Sequence, residues 1–187
     1  MPETAATARA RYVPPTRTSG HAESAAQHAL ADRALAVAYR TALGITRDPH
    51  LAGDIAQDVA IKALRHASSL REPRALDAWL HRTTVRTAID QYRRRERQRT
   101  ADTRYVEDAA HAHAEQLDPG LRSVIELLAP LPYRQRAAMT LRYVHDLTDR
   151  EIARALGCRT GTARSLLSRA TAALRAEIAT PSPKDPR

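Results

Sequence analysis

The chain has 187 residues, a formal net charge of +9 and 43% hydrophobic residues, enough apolar material for one or two packed domains. Aromatic residues are only 4% and phenylalanine is absent, so the core must consist mainly of Leu, Ala, Ile and Val, which favours closely packed helices. The positive charge predicts an anionic partner. Cys158 is the only cysteine, which excludes an intrachain disulfide, and no leader or long apolar run is found. These features predict a cytoplasmic protein without a membrane span.

The N-terminal part of the sequence predicts a tail followed by a helical domain. Residues 1–27 contain three prolines, one glycine and few large apolar side chains, which indicates a flexible tail. From there to residue 99, apolar residues recur at helical spacing and no segment alternates with period two. Asp48 and Pro49 predict a helix start, with the aspartate as N-cap. A longer helix is expected over about 74–97, and the domain over 28–99.

The segment 100–118 differs in composition from both of its neighbours. Five acidic residues oppose one arginine there, which leaves a formal charge of −4 and predicts a flexible acidic linker. His111 and His113 are interpreted as solvated linker side chains rather than as a metal site. The last residues, 180–187, are expected to form a second tail.

A second helical domain is predicted over 119–179. Helices are expected to begin at Pro119 and at Pro132. Further on, Thr148 and Glu151 have the spacing of a capping box, and Gly157 suits the left-handed position that ends a helix. Thr160 is then expected to cap the last helix. Two helices joined by a short glycine turn form a helix-turn-helix, whose second helix enters the DNA major groove.

The second helix of this motif carries the predicted base-reading side chains. Between residues 159 and 175 there are four arginines and no carboxylate. When the apolar stripe faces inward, the outer face presents arginines that suit guanine edges and hydroxyls that suit bases or phosphates. The alternative is an ordinary helix pair with a solvated basic face. The predicted DNA-binding residues are Arg159, Thr162, Arg164, Ser165, Ser168 and Arg169.

A second basic site lies in the N-terminal domain. Residues 81–99 contain seven arginines and two carboxylates, a formal charge of +5. Several of the arginines recur at helical spacing, so phosphate contact is expected to be salt-dependent, and a solvated helix end is the alternative. The predicted DNA contacts are Arg82, Arg86, Arg93 and Arg94. Two basic modules suggest that two separated pieces of DNA are read at once.

The C-terminal domain contains a series of short motifs in a fixed order. They are Leu131-Pro132, Arg136, Leu141-Arg142-Tyr143, Glu151-Ile152-Ala153, Leu156-Gly157 and Gly161-Thr162-Ala163-Arg164-Ser165. This series resembles the pattern Leu-Pro, Arg, Leu-Arg-Tyr, Glu-Ile-Ala, Leu-Gly and Gly-Thr-Val-Lys-Ser of extracytoplasmic-function (ECF) sigma factors of bacterial RNA polymerase. Residues 53–67 and 75–95 resemble the family's promoter-melting region more loosely.

The resemblance implies an all-α fold with two small helical domains joined by a flexible acidic linker, the C-terminal one a helix-turn-helix. It implies a protein that binds core RNA polymerase, directs it to promoters and promotes DNA opening. The implied polymerase contacts are the clamp helices of the largest subunit, through Asp54, Gln57 and Asp58, and the flap region. The helix from Trp79 to Arg97, with the preceding loop 68–74, would read the minus-ten element, and the last helix would read the minus-thirty-five element. Within the first of these, the implied DNA contacts are Arg82, Arg86, Arg93 and Arg94. The linker would lie in the polymerase's RNA path, and an anti-sigma factor is a further implied partner.

Some residues depart from the family pattern, and two other functions remain as alternatives. Ala60 replaces an aromatic residue, and Arg86 replaces a common asparagine, while Trp79 matches the family and is expected to pack. The alternative function is a helix-turn-helix regulator that acts without core polymerase. An enzyme is disfavoured, because the sequence has no catalytic triad, no metal-ligand cluster and no phosphate-binding glycine loop. We predict no catalytic residue, no metal and no cofactor.

Overall fold

The structure is a computed structural model that describes residues 18–67, 72–101 and 119–179. These ranges form α-helices without any strand, which confirms the all-α class. The helices are α1 (Thr18–Thr46), α2 (Pro49–Arg65), α3 (Pro73–Ala101), α4 (Pro119–Leu127), α5 (Tyr133–Tyr143), α6 (Asp149–Leu156) and α7 (Thr160–Ala179). No helix in these ranges is both long and apolar enough to span a bilayer.

Two predictions of local structure are wrong, and several fall outside the described residues. Helix α1 begins at Thr18, so residues 18–27 of the predicted tail are helical and continue directly into the part of α1 that packs in the core; alanine at three of these ten positions favours the helix. Thr160 is the first residue of α7 rather than its cap. The acidic linker with His111 and His113, the loop residues 68–71, residues 1–17 and the tail 180–187 lie outside the described residues.

Helices α1 to α3 form the N-terminal half. Asp48 caps α2 as predicted, since its Oδ1 accepts the Leu51 backbone N–H at 3.0 Å. The buried stripe of α2 repeats every four residues and packs on α1, where small side chains let the two helices approach closely. The buried residues that form this contact are Ala34, Ala38, Ala42, Leu51, Ile55, Val59 and Ala63. Helix α3 covers the same core with Leu76, Leu80, Val85, Ala88 and Ile89.

Helices α4 to α7 form the C-terminal half. Leu128, Leu131 and Met139 pack against Ala170 and Leu174, which holds α7 on α5. On the other side of this half, apolar side chains of α5, α6 and the start of α7 join the core of the N-terminal half. The separate core of the C-terminal half is therefore small, and most of the buried apolar residues of this half belong to the cluster that continues into the N-terminal half.

The two halves pack directly on each other, which the sequence did not predict. Helix α5 lies against α1, and α6 lies against α3. A β-carbon on Gly44 would lie 2.8 Å from Thr140 Cγ2 and closer still to its Oγ1, so only glycine permits this approach of α1 and α5. Arg136, only 4% exposed, donates from Nε and Nη2 to the Ile45 carbonyl at 3.0 and 2.8 Å, and from Nη1 to the Leu131 carbonyl at 2.6 Å. The guanidinium therefore joins the halves through backbone acceptors.

A pair of histidines completes the contact between the halves. His145 follows α5 and lies 2.8 Å through Nε2 from the Thr41 hydroxyl of α1. That hydroxyl donates its proton to the Val37 carbonyl, so the imidazole Nε2–H is the donor to Thr41. The rings of His81 and His145 meet edge-on at 4.6 Å. Burial, followed by the neighbouring His81 and Arg40, lowers the pKa of His145 to about 3, so both rings face each other without charge.

Candidate nucleic-acid interface

The helix-turn-helix is built by its local sequence. The Thr148 backbone N–H donates to Glu151 Oε2 at 2.8 Å, and the Glu151 N–H reaches the Thr148 hydroxyl, so the predicted capping box is present. The Thr148 hydroxyl also donates to Glu151 Oε2 at 2.6 Å, and this bond, followed by that from the Thr148 backbone N–H, lowers the pKa of the Glu151 carboxyl. Gly157 ends α6 at φ 62°, where the left-handed backbone favours glycine, and the next N–H, of Cys158, closes on the Ala153 carbonyl at 2.9 Å. The turn thus fixes the angle between α6 and α7.

The predicted reading face lies on the outside of α7. Ala163, Ala170 and Leu174 are buried, which turns the opposite side of the helix to solvent. Of the six residues predicted to bind the minus-thirty-five element, Ser165 is partly buried. The other five are exposed, and they are Arg159, Thr162, Arg164, Ser168 and Arg169.

Asp149 orients the central arginine of this face, and sequence reasoning missed it. Arg164 is 71% exposed, and its Nε donates to Asp149 Oδ2 at 2.8 Å. Arg142 of α5 pairs with the other carboxylate oxygen. The hydrogen bond from Arg164, with further contributions from Arg142, lowers the pKa of the Asp149 carboxyl. An acidic residue in the first turn of α6 was visible in the sequence, but it predicts a helix-dipole role rather than a bond to α7.

The predicted minus-ten arginines lie along the exposed side of α3. Arg82, Arg86, Arg93 and Arg94 are all exposed. Arg93 donates to the Tyr133 hydroxyl of α5 at 2.9 and 2.6 Å, so this one is engaged with the C-terminal half. The neighbouring Arg95 has a different role, since it pairs with the carboxylate of Asp48 at the start of α2.

Two departures from the family pattern acquire a structural meaning. Ala60 is buried in the core. The absence of an aromatic side chain at this position therefore affects the packing of the helices and does not remove a surface on which bases could stack. Trp79 is half-buried with its ring 5.7 Å from that of His66, in accord with the packing role expected for it.

The predicted polymerase contacts share one exposed face of α2. Asp54, Gln57 and Asp58 point away from the buried stripe. Ile61 and Leu64, which continue this face at helical spacing, are 48% and 39% exposed. The sequence analysis did not single them out, although their place between the buried positions could have revealed them. A carboxylate-rich face that ends in bare apolar side chains is typical of a protein-binding surface.

The arrangement defines a class: all-helical proteins that bind DNA through a C-terminal helix-turn-helix and carry a second basic helix. Within the described ranges, no three His, Cys, Asp or Glu side chains could hold a metal ion.

Comparison with known proteins narrows this class. The pattern of sigma-70 region 2 matches residues 29–98, and that of sigma-70 region 4 matches residues 121–174. The RNA polymerase sigma factor SigV of Bacillus subtilis is 32% identical over 141 residues, 75% of this chain and 83% of SigV. The ECF sigma factor SigM of Mycobacterium tuberculosis is 34% identical over 136 residues, 73% of this chain and 68% of SigM. The chain belongs to the ECF sigma factors of the sigma-70 family.

A solved structure shares the fold. The sigma factor RpoE of Bartonella quintana, crystallised in complex with the anti-sigma factor NepR, is 25% identical and superposes with a TM-score of 0.64. The alignment covers 80% of this chain and 94% of RpoE. As a sigma factor, the protein directs RNA polymerase to promoters for transcription initiation.

Proposed function

We propose that this sigma factor reads the minus-thirty-five element with the outer face of α7 and the minus-ten element with α3. The observation that carries the proposal is the exposed face of α7, which has no carboxylate from residue 160 to residue 175, on a helix-turn-helix whose helix α6 is capped at both ends. Arg164 reads a base edge from this face, while Ser168 and Arg169 contact bases or nearby phosphates. In α3, the exposed arginines neutralise the phosphates of the melted strand.

Promoter binding requires the two halves to separate. We call the structure in which the two halves are in contact the closed arrangement. In it, α3 faces α5 and α6, and the Arg93 guanidinium donates to the Tyr133 hydroxyl. The exposed side chains of Arg82, Arg86 and Arg93 line a groove whose other side is formed by the C-terminal half, so a duplex gains full access to them only when that half moves away. We therefore propose that the domains 28–99 and 119–179 move apart in the polymerase complex, with the acidic segment 100–118 as the tether in the RNA path.

The α2 face carries the proposed contact with the clamp helices of core polymerase. Asp54 and Asp58 provide carboxylates for basic partner residues, and Gln57 provides an amide. Ile61 and Leu64 provide the apolar area that such a contact needs, since charged pairs alone add little affinity. The C-terminal half contacts the flap region. Because RpoE of Bartonella quintana was crystallised with an anti-sigma factor, we propose such a partner here as well. No catalytic function is proposed.

Transcription with purified components tests the proposal. Core polymerase and a supercoiled promoter library are incubated with the full-length protein, and the transcript starts are mapped. We expect starts downstream of a shared two-part promoter. Tight, specific binding by the protein alone, without transcription, would instead indicate a regulator that acts without polymerase.

A further inference from the structure

A groove of about 910 Å³ lies between the two halves of the molecule. Helices α2 and α3 bound it on one side, and α5 and α6 bound it on the other. Asp90 is the only carboxylate among the described residues that line it. The lining includes six cationic side chains, which are Lys62, Arg82, Arg86, Arg93, Arg134 and Arg154.

None of these six side chains forms an ion pair in the part of the chain that the structure describes, although Arg154 interacts electrostatically with Glu151. The ion pairs found there involve other arginines, which bind Asp48, Asp77 or Asp149. Within the described residues, the Arg93 guanidinium donates to the Tyr133 hydroxyl and lies over the Tyr133 ring, and neither contact brings a carboxylate to it. Like charges from both halves therefore converge on one groove with a net formal charge of +5, and they repel each other across it. A multivalent anion in the groove would remove this repulsion.

We infer that the groove binds the phosphate chain of an oligophosphate, either free or as part of a nucleotide. Arginine forks match phosphate oxygens in pairs, and a linear chain carries enough charge to meet several of them. The volume is that of a small-molecule pocket, so a duplex does not fit while the halves are in contact. The site is composite, because Arg134 and Arg154 belong to one half and the other four cations to the other.

The bound anion bridges the two halves and stabilises the closed arrangement. Arg82, Arg86 and Arg93 are also the proposed minus-ten contacts, so the anion and the promoter exclude each other. This second consequence rests on the proposed function, whereas the binding itself does not. Binding is therefore measured on the full-length protein without polymerase or DNA.

Isothermal titration calorimetry with inorganic tripolyphosphate at low ionic strength tests the site. We expect one anion per protein, with binding that weakens as salt is added. The double variant R134Q/R154Q is expected to weaken binding about tenfold or more, because it removes one side of the site. The control R150Q/R175Q makes the same change in charge at exposed positions outside the groove, and its affinity is expected to stay close to that of the wild type.

A second variant distinguishes a composite groove from scattered charges. Gly44→Ala keeps all six cations but forces α1 away from Thr140, so it is expected to weaken tripolyphosphate binding. Adding Thr140→Ala removes the atoms that an added β-carbon would meet most closely and is expected to restore it. Adenosine triphosphate and adenosine are titrated in the same way as two further ligands. If adenosine triphosphate binds at least as tightly as tripolyphosphate and adenosine does not bind, the phosphate chain is the part that the groove recognises. If adenosine triphosphate binds more tightly than tripolyphosphate, the ligand is a nucleotide.

Three outcomes would overturn the inference. One is equal loss of affinity in R150Q/R175Q and R134Q/R154Q, which would show non-specific charge attraction. Another is full tripolyphosphate affinity in G44A with demonstrably separated halves. The third is no tripolyphosphate binding together with tight binding of a single-stranded oligonucleotide that depends on Arg134 and Arg154, which would make the groove a nucleic-acid site.

Discussion

Arg164 illustrates how a single carboxylate can orient a side chain that we propose to read a base. Its stem projects into solvent, and its Nε is held by Asp149, so the remaining guanidinium nitrogens are presented in a fixed direction. Because Arg142 shares the same carboxylate, part of the charge of Asp149 is already neutralised within the protein. An oriented donor loses less side-chain entropy when it meets a base than a free one does.

Arg164→Ala is expected to cost about 1–3 kcal/mol of promoter affinity, concentrated at one base position of the minus-thirty-five element. Asp149→Asn is expected to cost less and to keep the same base preference, since it loosens Arg164 without removing it. Competition of mutated promoters for the polymerase complex measures both effects. Uniform weakening of Arg164→Ala on every sequence would reassign this residue to a phosphate.

His145 makes the contact between the halves sensitive to pH. Its pKa is about 3 in the closed arrangement and returns to the ordinary 6.5 when the halves separate. A lowered pKa for a base means that the contact is fully stable above pH 6.5 and weakens as the pH falls towards 3. His81 acts in the same direction, although Asp77 and Glu151 oppose its shift.

Acidification is therefore expected to favour separated halves. At about pH 5.5 the contact should be weaker by about 1.4 kcal/mol, a tenfold change in the ratio of open to closed molecules. Small-angle X-ray scattering between pH 7.5 and 5.5 measures this change as an increase in the radius of gyration. His145→Gln keeps an N–H for Thr41 and is expected to flatten the response, so an unaltered pH profile in this variant would contradict the assignment.

At the level of elements, α2 has one face that packs in the core and one exposed face that we propose to dock on core polymerase. One face carries the apolar stripe that packs on α1, and the other carries carboxylates followed by exposed apolar side chains. The two faces are separable by mutation, because the exposed positions contribute little to folding. This separation allows the polymerase contact to be tested without loss of the fold.

Asp58→Arg is expected to abolish binding to core polymerase, since it places a cation against a basic partner. Ile61→Asp is expected to weaken binding by about 1–3 kcal/mol through loss of apolar contact. Asp32→Arg, which makes the same reversal on the exposed side of α1, is the control. Co-elution with core polymerase measures binding, and circular dichroism checks the helices. Wild-type affinity in Asp58→Arg would exclude this face as the docking surface.

At the scale of the whole molecule, the two halves form a closed arrangement whose contacts come from positions far apart in sequence. Arg136 reaches the carbonyl of Ile45, and Thr140 fills the space that Gly44 leaves open. Thr140 Oγ1 is buried without a hydrogen-bond partner in the described part of the closed arrangement. Separation of the halves would expose this oxygen to water, so the contact carries a desolvation cost that opening relieves.

Gly44→Ala is expected to destabilise the closed arrangement by about 1–3 kcal/mol, as overpacking does in other cores. Thr140→Ala in the same chain is expected to recover most of this loss, and it sacrifices no hydrogen bond. The radius of gyration and hydrogen exchange in α5 measure the opening. If G44A and G44A/T140A behaved alike, the close approach of α1 and α5 would not control separation.

Most of the local structure of this protein was determined by the sequence alone. The N-cap of Asp48, the capping box of Thr148 and Glu151, and the glycine that ends α6 are all interactions within a few residues, so spacing and residue type suffice to predict them. The buried stripe of α2 follows in the same way from helical periodicity. The family likewise follows from motifs that are contiguous in the chain.

Only the tertiary structure decided which face of each half meets the other. The partners of Arg136, His145 and Arg164 lie 91, 104 and 15 residues away in sequence, and no local pattern encodes such pairs. The same holds for the groove, where arginines of two separate basic segments come to line one space. Helical periodicity tells which side of a helix is apolar, but the choice among apolar partners depends on close packing, which acts through space and not along the chain.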